Sequence, residues 1–154
     1  MKKISWVAYL VTWFGAGYAP KMSGTFGSIA AIAPAYFLRE YLGGYALFAL
    51  SWLIFGVGVW LTEKYLQEIG DSKADPKEVV IDEVAGLWLT LSLLPHDLWG
   101  YLFGFLLFRL YDITKPPPIG LLDKRCKSAF GVMIDDMVAG GFAIGTFWLI
   151  SYLL

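Results

Sequence analysis

The stretch VAGLWLTLSLLPHDLWGYLFGFLLF, residues 84–108, decides the fold. Asp97 is its only acidic or basic residue apart from His96, and both sit behind Pro95 in the middle of the run. A turn at Pro95–Asp97 divides it into two apolar arms, Val84–Leu94 and Leu98–Phe108. Each arm alone is too short for a helix to cross a hydrocarbon core of about 30 Å. The arms reach spanning length only by extending into their polar flanks. One then takes in Asp82 and Glu83, and the other Arg109 and Asp112. Those ionisable groups are therefore expected at one membrane face, at or just inside it.

The flanking sequence follows the same logic. Met22–Leu38, Tyr45–Thr62 and Met137–Leu154 run uncharged for 17, 18 and 18 residues, each near the length of a membrane span. Hydrophobic residues make up 58% of the chain and charged residues 16%, well outside the balance of a soluble domain. The many Trp, Tyr and Phe side chains suit lipid–water interfaces. The 154 residues read as one all-α domain, a polytopic integral membrane bundle of about five spans or near-spans. Residues 1–20 add a span, a re-entrant piece or a short interfacial helix. Lys2 and Lys3 ahead of the apolar Ile4–Phe14 look like the start of a signal peptide. The apolar character continues past Gly15 to Leu38, however, which fits a mature membrane segment better. A formal charge of −1 gives no nucleic-acid surface, and no protein partner is inferred. The single cysteine, Cys126, excludes an internal disulfide and a cysteine metal cage.

Basic residues set the orientation. Lys64, Lys73 and Lys77 lie in one loop. Arg109, Lys115, Lys124, Arg125 and Lys127 lie in another, and alternating spans place both with Lys21 on one side. The other side receives Arg39 alone. The basic side is expected to be cytoplasmic, and every polar motif falls there.

Two of those motifs are acidic: IDEVAG at Ile81–Gly86 and IDDMVAG at Ile134–Gly140. Asp82 and Asp136 each stand four residues before a glycine, on the same helical face. Gly86 and Gly140 would let two backbones approach closely. The plainer reading makes Asp82 and Asp135 helix N-caps. It leaves unexplained two adjacent acidic pairs, which repel unless a cation or proton intervenes. Oxygen ligands alone favour Mg²⁺ or a similar hard ion. Asp82, Glu83, Asp135 and Asp136 are thus the expected metal ligands, and Asp82, Glu83, Asp112 and Asp136 the expected catalytic groups.

In FRLYDITKPPP, Phe108–Pro118, the residues Arg109, Asp112 and Lys115 follow an i, i+3, i+6 rhythm on one side of a helix that Pro116 should end. Arg109 suits bidentate phosphate binding and Lys115 adds a point charge; the plainer alternative is that both snorkel to the interface. SGTFGS, Ser23–Ser28, places small residues and hydroxyls at a helix start whose amides can face a phosphate. Lys21 and Thr25 from this region join Arg109 and Lys115 as expected substrate-binding groups.

Several nucleophile classes drop out. The one histidine, His96, falls on the opposite face. Cys126 has Val132, not arginine, six positions on, and no Asp-x-Asp occurs. Metal-activated water attacking phosphorus remains the leading chemistry, with a carboxylate nucleophile as the lesser possibility.

Together GYAPKMSGTFGS, IDEVAG, FRLYDITKPPPIG and GVMIDDMVAG, in this order from about Phe14 to Gly141, resemble the phosphatidylglycerophosphatase A family. The resemblance implies Mg²⁺ dependence, an inner-membrane location and removal of the terminal phosphate from phosphatidylglycerophosphate. It also implies a phospholipid substrate drawn from the bilayer. By position it carries the family's acidic groups onto Asp82, Glu83, Asp112, Asp135 and Asp136, and its basic groups onto Arg109 and Lys115. Ser23 departs from the proline usual there. Two other classes compete. An ion-coupled carrier would need carboxylates near mid-membrane, and a metal-dependent head-group transferase would need a longer aspartate-rich signature.

Overall fold

The computed structural model describes residues 4–71 and 75–154. Lys2, Lys3 and Lys73 lie outside the described residues. Among those described, the chain is wholly helical, as expected: α1 Trp6–Val11, a 3₁₀ turn Ala16–Tyr18, α2 Ser23–Leu42, α3 Gly44–Ile69, α4 Ile81–Leu93, α5 Leu98–Thr114, α6 Ile119–Arg125 and α7 Ala129–Leu153.

Local chemistry sets the ends of these helices. Ser5 accepts from the Ala8 amide at 3.0 Å, Asp97 from Gly100 at 2.7 Å and Ser128 from Gly131 at 3.2 Å, each capping a helix start. Helix α3 stops at Gly70, whose φ of 75° is the left-handed conformation glycine adopts without strain. Helix α5 stops at Thr114. Pro116 disfavours helical geometry in the residue before it, and Lys115 adopts φ 45° as the C-cap. Lys115 thus leaves the helical face on which the sequence rhythm placed it.

Helix α4 is the axis of the bundle. It packs against α2, α3, α5 and α7, and eleven of its residues are buried, including Asp82, Thr90 and Ser92. The Trp88 indole donates to the Ala31 carbonyl at 3.0 Å and ties α2 to it. At its C-terminal end, carbonyls without helical partners are met by side chains: Arg39 donates to Leu91 O, and Trp148 Nε1 donates to Leu93 O at 3.1 Å.

The outside of the bundle is apolar. Trp52, Leu53, Trp60, Leu102, Phe103, Leu106, Trp148 and Leu149 are all exposed, an exterior suited to lipid. By length and composition α3 and α7 can each cross a membrane. Helices α2, α4 and α5 fill the other expected span positions. At 13 residues, α4 measures about 20 Å, short of a full crossing. Of residues 1–20, those described, 4–20, hold the short helix α1 and the 3₁₀ turn. Helix α6 was not anticipated; it lies inside the segment read as one basic connection between Arg109 and Asp136.

Candidate metal and phosphate site

Asp82 and Glu83 occupy the first turn of α4, where carboxylates meet the positive end of the helix dipole. The N-caps of α4 and α7 are Val80 and Ser128. Neither Asp82 nor Asp135 is therefore a cap. Asp135 and Asp136 lie nearly two turns inside α7, so the second acidic pair is deeper in its helix than the sequence placed it.

The two glycines explain why these helices meet. A Cβ on Gly86 would lie 2.5 Å from the Asp136 carbonyl oxygen and 2.7 Å from Phe108 Cε2. One on Gly140 would lie 2.7 Å from Gly86 O. Helices α4 and α7 thus touch backbone to backbone, and this contact brings the acidic motifs together as expected. Gly86→Ala should force the helices apart, with a stability loss of about 1–3 kcal/mol from overpacking and a severe loss of any activity of the site. Gly141, with nothing within 4 Å of its Cβ position, should accept alanine without either effect. Thermal melts of the detergent-extracted variants check both.

One ligand oxygen each from Asp82, Glu83 and Asp136 lies within 4.8 Å of the others. Asp82 and Asp136 are 8% and 3% exposed. Asp82 Oδ1, Glu83 Oε2 and Asp136 Oδ2 are buried with no hydrogen-bond partner. Three converging carboxylates, each keeping a buried oxygen without a partner, are costly as free anions, and carboxylate oxygens are the donor set of a hard divalent cation. The residues present therefore fit a metal ion.

Arg109 stands beside this triad. It forms an ion pair with Asp112, its Nη1 is 4.0 Å from Glu83 Oε1, and its Nη2 donates to Thr25 Oγ1 at 3.3 Å. Its Nε is buried and has no partner. The Arg109–Thr25 bond crosses from α5 to the first turn of α2. No side chain caps that turn, since Met22 at the N-cap is left-handed and makes no such bond. Gly24 in the same turn has no room for a side chain, because a Cβ there would run into Glu83 Oε1 and lie 3.3 Å from Arg109 Nη1.

The remaining expected groups are placed differently. Lys115 Nζ donates to Asp123 at 2.8 Å and Asp135 at 3.1 Å. Burial pulls its pKa down, but these two carboxylates hold it above the ordinary lysine value. Lys115 is thus an ion-pairing partner of Asp123 and Asp135 at the edge of the acidic cluster. Asp135 faces Lys115 and is not one of the three convergent ligands. Lys21 is exposed before α2 and does not line the pocket.

A pocket of about 160 Å³ joins the acidic groups, with Arg109 and Thr25 outside its lining. Asp82, Glu83, Asp112, Lys115, Asp135 and Asp136 line it, as do Ser23, Asp75 and Lys77. The Ser23 hydroxyl donates to the Lys77 carbonyl and closes the loop before α4 over the pocket. Burial pushes the Asp75 carboxyl above its usual range. Gly24 and Asp75 were not singled out in the sequence, and Lys77 served there only to set the orientation. Gly24 had a signal in the SGTFGS motif, whereas Asp75 and Lys77 read only as a polar loop.

An all-helical, membrane-associated protein with a buried carboxylate triad beside a partly unpaired arginine is the class that fold and site define. Comparison with known proteins narrows it. The family model for phosphatidylglycerophosphatase A matches residues 9–151. The phosphatidylglycerophosphatase A of Escherichia coli is 35% identical over 144 residues, covering 93% of this chain and 82% of that protein. That of Haemophilus influenzae is 33% identical over 156 residues, covering 99% and 94%. A Bacteroides thetaiotaomicron protein provisionally named a phosphatidylinositol-3-phosphatase is 33% identical over 151 residues, covering 93% and 92%. No solved structure matches. The chain belongs to the phosphatidylglycerophosphatase A family.

Proposed function

We propose that this protein is a multi-pass membrane phosphatase that removes the terminal phosphate of phosphatidylglycerophosphate, with Mg²⁺ held by Asp82, Glu83 and Asp136. The observation that carries this reading is the convergence of three carboxylates, each keeping a buried oxygen without a partner, with Arg109 Nη1 4.0 Å from one of them, Glu83. Family membership and the names of the relatives support the choice of substrate.

When bound, the divalent ion would offset the acidic triad and supply Lewis-acid activation at the phosphate ester. Arg109 contributes the planar donor fork that orients phosphate oxygens, and Asp112 and Thr25 hold that fork in place. Water adds to phosphorus, the ester P–O bond breaks, and inorganic phosphate leaves a free glycerol hydroxyl on the lipid. The water gives up a proton and the departing alkoxide gains one. Asp112 and Asp135 line the pocket outside the triad, and either is positioned to take the first proton. Lys115 keeps Asp135 oriented. The phospholipid is the only partner this scheme requires.

Phosphate release from phosphatidylglycerophosphate, with and without Mg²⁺, tests the proposal. Phosphatidylinositol 3-phosphate run in parallel decides between the activities named for the relatives. Release that needs the metal and favours phosphatidylglycerophosphate is expected. Metal-independent release, or none, would sink the reading.

The basic ends of the helices are proposed to face the cytoplasm. After removal of Cys126, a Lys124→Cys variant should react with a membrane-impermeant thiol reagent in inside-out vesicles and not in right-side-out ones. Labelling from the outer side would invert the topology.

A further inference from the structure

We propose that Asp75, on the loop before α4, is a catalytic residue of this site, its carboxylate taking the proton of the water that attacks phosphorus. The inference rests on the phosphatase reading above and assigns the base to a carboxylate other than Asp112 and Asp135.

Six carboxylates line the pocket: Asp75, Asp82, Glu83, Asp112, Asp135 and Asp136. Their partners sort them. Asp82, Glu83 and Asp136 converge as the candidate metal ligands. Asp135 has both oxygens engaged, Oδ1 by the Asp136 amide at 2.9 Å and Oδ2 by Lys115 Nζ at 3.1 Å. Asp112 forms the ion pair that holds Arg109. Asp75 makes no hydrogen bond and no ion pair, and of the three pocket carboxylates outside the triad it is the one left so. A general base needs a free lone pair within reach of the water, directly or through one more water. A cation bonded to a carboxylate competes for that lone pair and favours the charged form, which weakens the base.

The loop that carries Asp75 is held in place by its neighbours. Val80 N donates to Val11 O of α1 at 2.9 Å, the Tyr65 hydroxyl of α3 donates to Glu78 Oε1 at 2.7 Å, and the Ser23 hydroxyl of α2 donates to Lys77 O. Gly17 of the 3₁₀ turn lies so close that a Cβ there would meet Glu78 O at 1.8 Å. Within the loop, Val79 N donates to Pro76 O at 3.0 Å. The backbone beside Asp75 is thus fixed at the pocket while its carboxylate has no structural bond to keep. Such fixed placement is what a proton-transfer group requires.

Size and exposure agree with this role. The pocket holds about 160 Å³, room for about five waters at roughly 30 Å³ each. A carboxylate on its wall therefore reaches a water beside the triad directly or through one other. Asp75 is also exposed to solvent, whereas Asp82 and Asp136 are buried. Burial of the carboxyl, with Asp123 and Asp112 near it, raises its pKa against the pull of Lys115, the direction that suits a base near neutral pH. In the step, one O–H bond of the water breaks as its oxygen bonds phosphorus, and Asp75 takes that proton. The ester P–O bond breaks, the alkoxide takes a proton from solvent, and Asp75 returns its own to solvent.

The test uses Asp75→Asn and Asp75→Gly, with phosphatidylglycerophosphate as substrate and Mg²⁺ present. Asp75→Asn should lower kcat by about 100-fold or more, the usual contribution of a general base. KM and the Mg²⁺-induced rise in melting temperature should stay at wild-type values. Added formate, a small carboxylate, should restore part of the turnover of Asp75→Gly and leave the wild type unmoved. Because Asp75 has no bonded partner, both variants should melt with the wild type in chelator.

Near-normal kcat in Asp75→Asn overturns the assignment. So does a rise in KM alone, which makes Asp75 a binding group, or loss of the Mg²⁺ shift, which makes it a ligand. A lower melting temperature, a variant that does not fold, or an Asp75→Gly protein that formate does not revive makes Asp75 structural and equally overturns it. Wild-type protein that releases no phosphate refutes the phosphatase reading itself, and this step with it.

Discussion

Asp136→Asn should abolish measurable phosphate release while leaving the protein folded and extractable, and Asp82→Asn and Glu83→Gln should do the same. Residues that merely orient metal ligands cost about 10–100-fold when replaced. Removing a ligand from a set of three should exceed the upper figure. The stability effect should run the other way. In chelator, each neutralisation relieves repulsion among buried carboxylates whose oxygens lack partners, so the variant should melt above the wild type. Added Mg²⁺ should raise the wild-type melting temperature and leave the variants nearly unmoved, because only a protein that binds the ion is stabilised by it. Undiminished turnover, or a Mg²⁺ shift equal to the wild type's, would show that the triad holds no metal.

Arg109→Lys should behave almost as a deletion, with kcat/KM down by about 100-fold or more, the scale of losing a preorganised charged donor at a phosphoryl group. The lysine ammonium keeps the charge. It cannot at once meet Asp112, reach Thr25 Oγ1 and present a further donor in the guanidinium plane. Lys115→Arg should be far milder, since Lys115 is engaged by Asp123 and Asp135 and a guanidinium can replace it in ion pairs of this kind. Steady-state kinetics on the two variants check the contrast. Equal losses would mean that Lys115 also grips the substrate, and near-normal rates from both would mean that the two side chains only anchor the protein at the interface.

That contrast between Arg109 and Lys115 marks where the sequence stopped being legible. The three-residue rhythm holds for Arg109 and Asp112, which pair on α5. It fails one step later because Pro116 disfavours a further helical residue and Lys115 leaves the helix as a left-handed C-cap, and a rhythm read along an ideal helix does not register its end. Asp135 and Asp136 are neighbours with different fates for a related reason. Adjacent residues on a helix point about 100° apart, so one faces the triad and the other faces Lys115. The sequence located both acidic pairs but not which member turned inward. It did foretell the approach of α4 and α7, since paired glycines four residues beyond an aspartate have one structural use at such a spacing. Asp75 and Lys77 had no readable signal, because a loop has no periodicity from which to infer a direction. The helical class followed from apolar segment lengths alone. The number of full crossings did not, because α4 spends its apolar residues on protein neighbours.

The burial of α4 also bears on how the protein is made. A segment of about 20 Å that begins with Asp82 and Glu83 is a poor candidate for partitioning into the bilayer by itself. In the proposed multi-pass arrangement it would enter as a hairpin with α5 through the Pro95–Asp97 turn, packing on the helices around it. Two of its neighbours, α2 and α3, precede it in the chain, but α7 follows both it and α5. Until α7 docks, Gly86 faces no backbone and Asp82 and Glu83 lack their third carboxylate. An emerging chain therefore holds an incomplete set of ligands throughout most of its synthesis. Assembly of the metal site waits on the docking of α7 against α4, so a chain that can bind the ion has already made that contact.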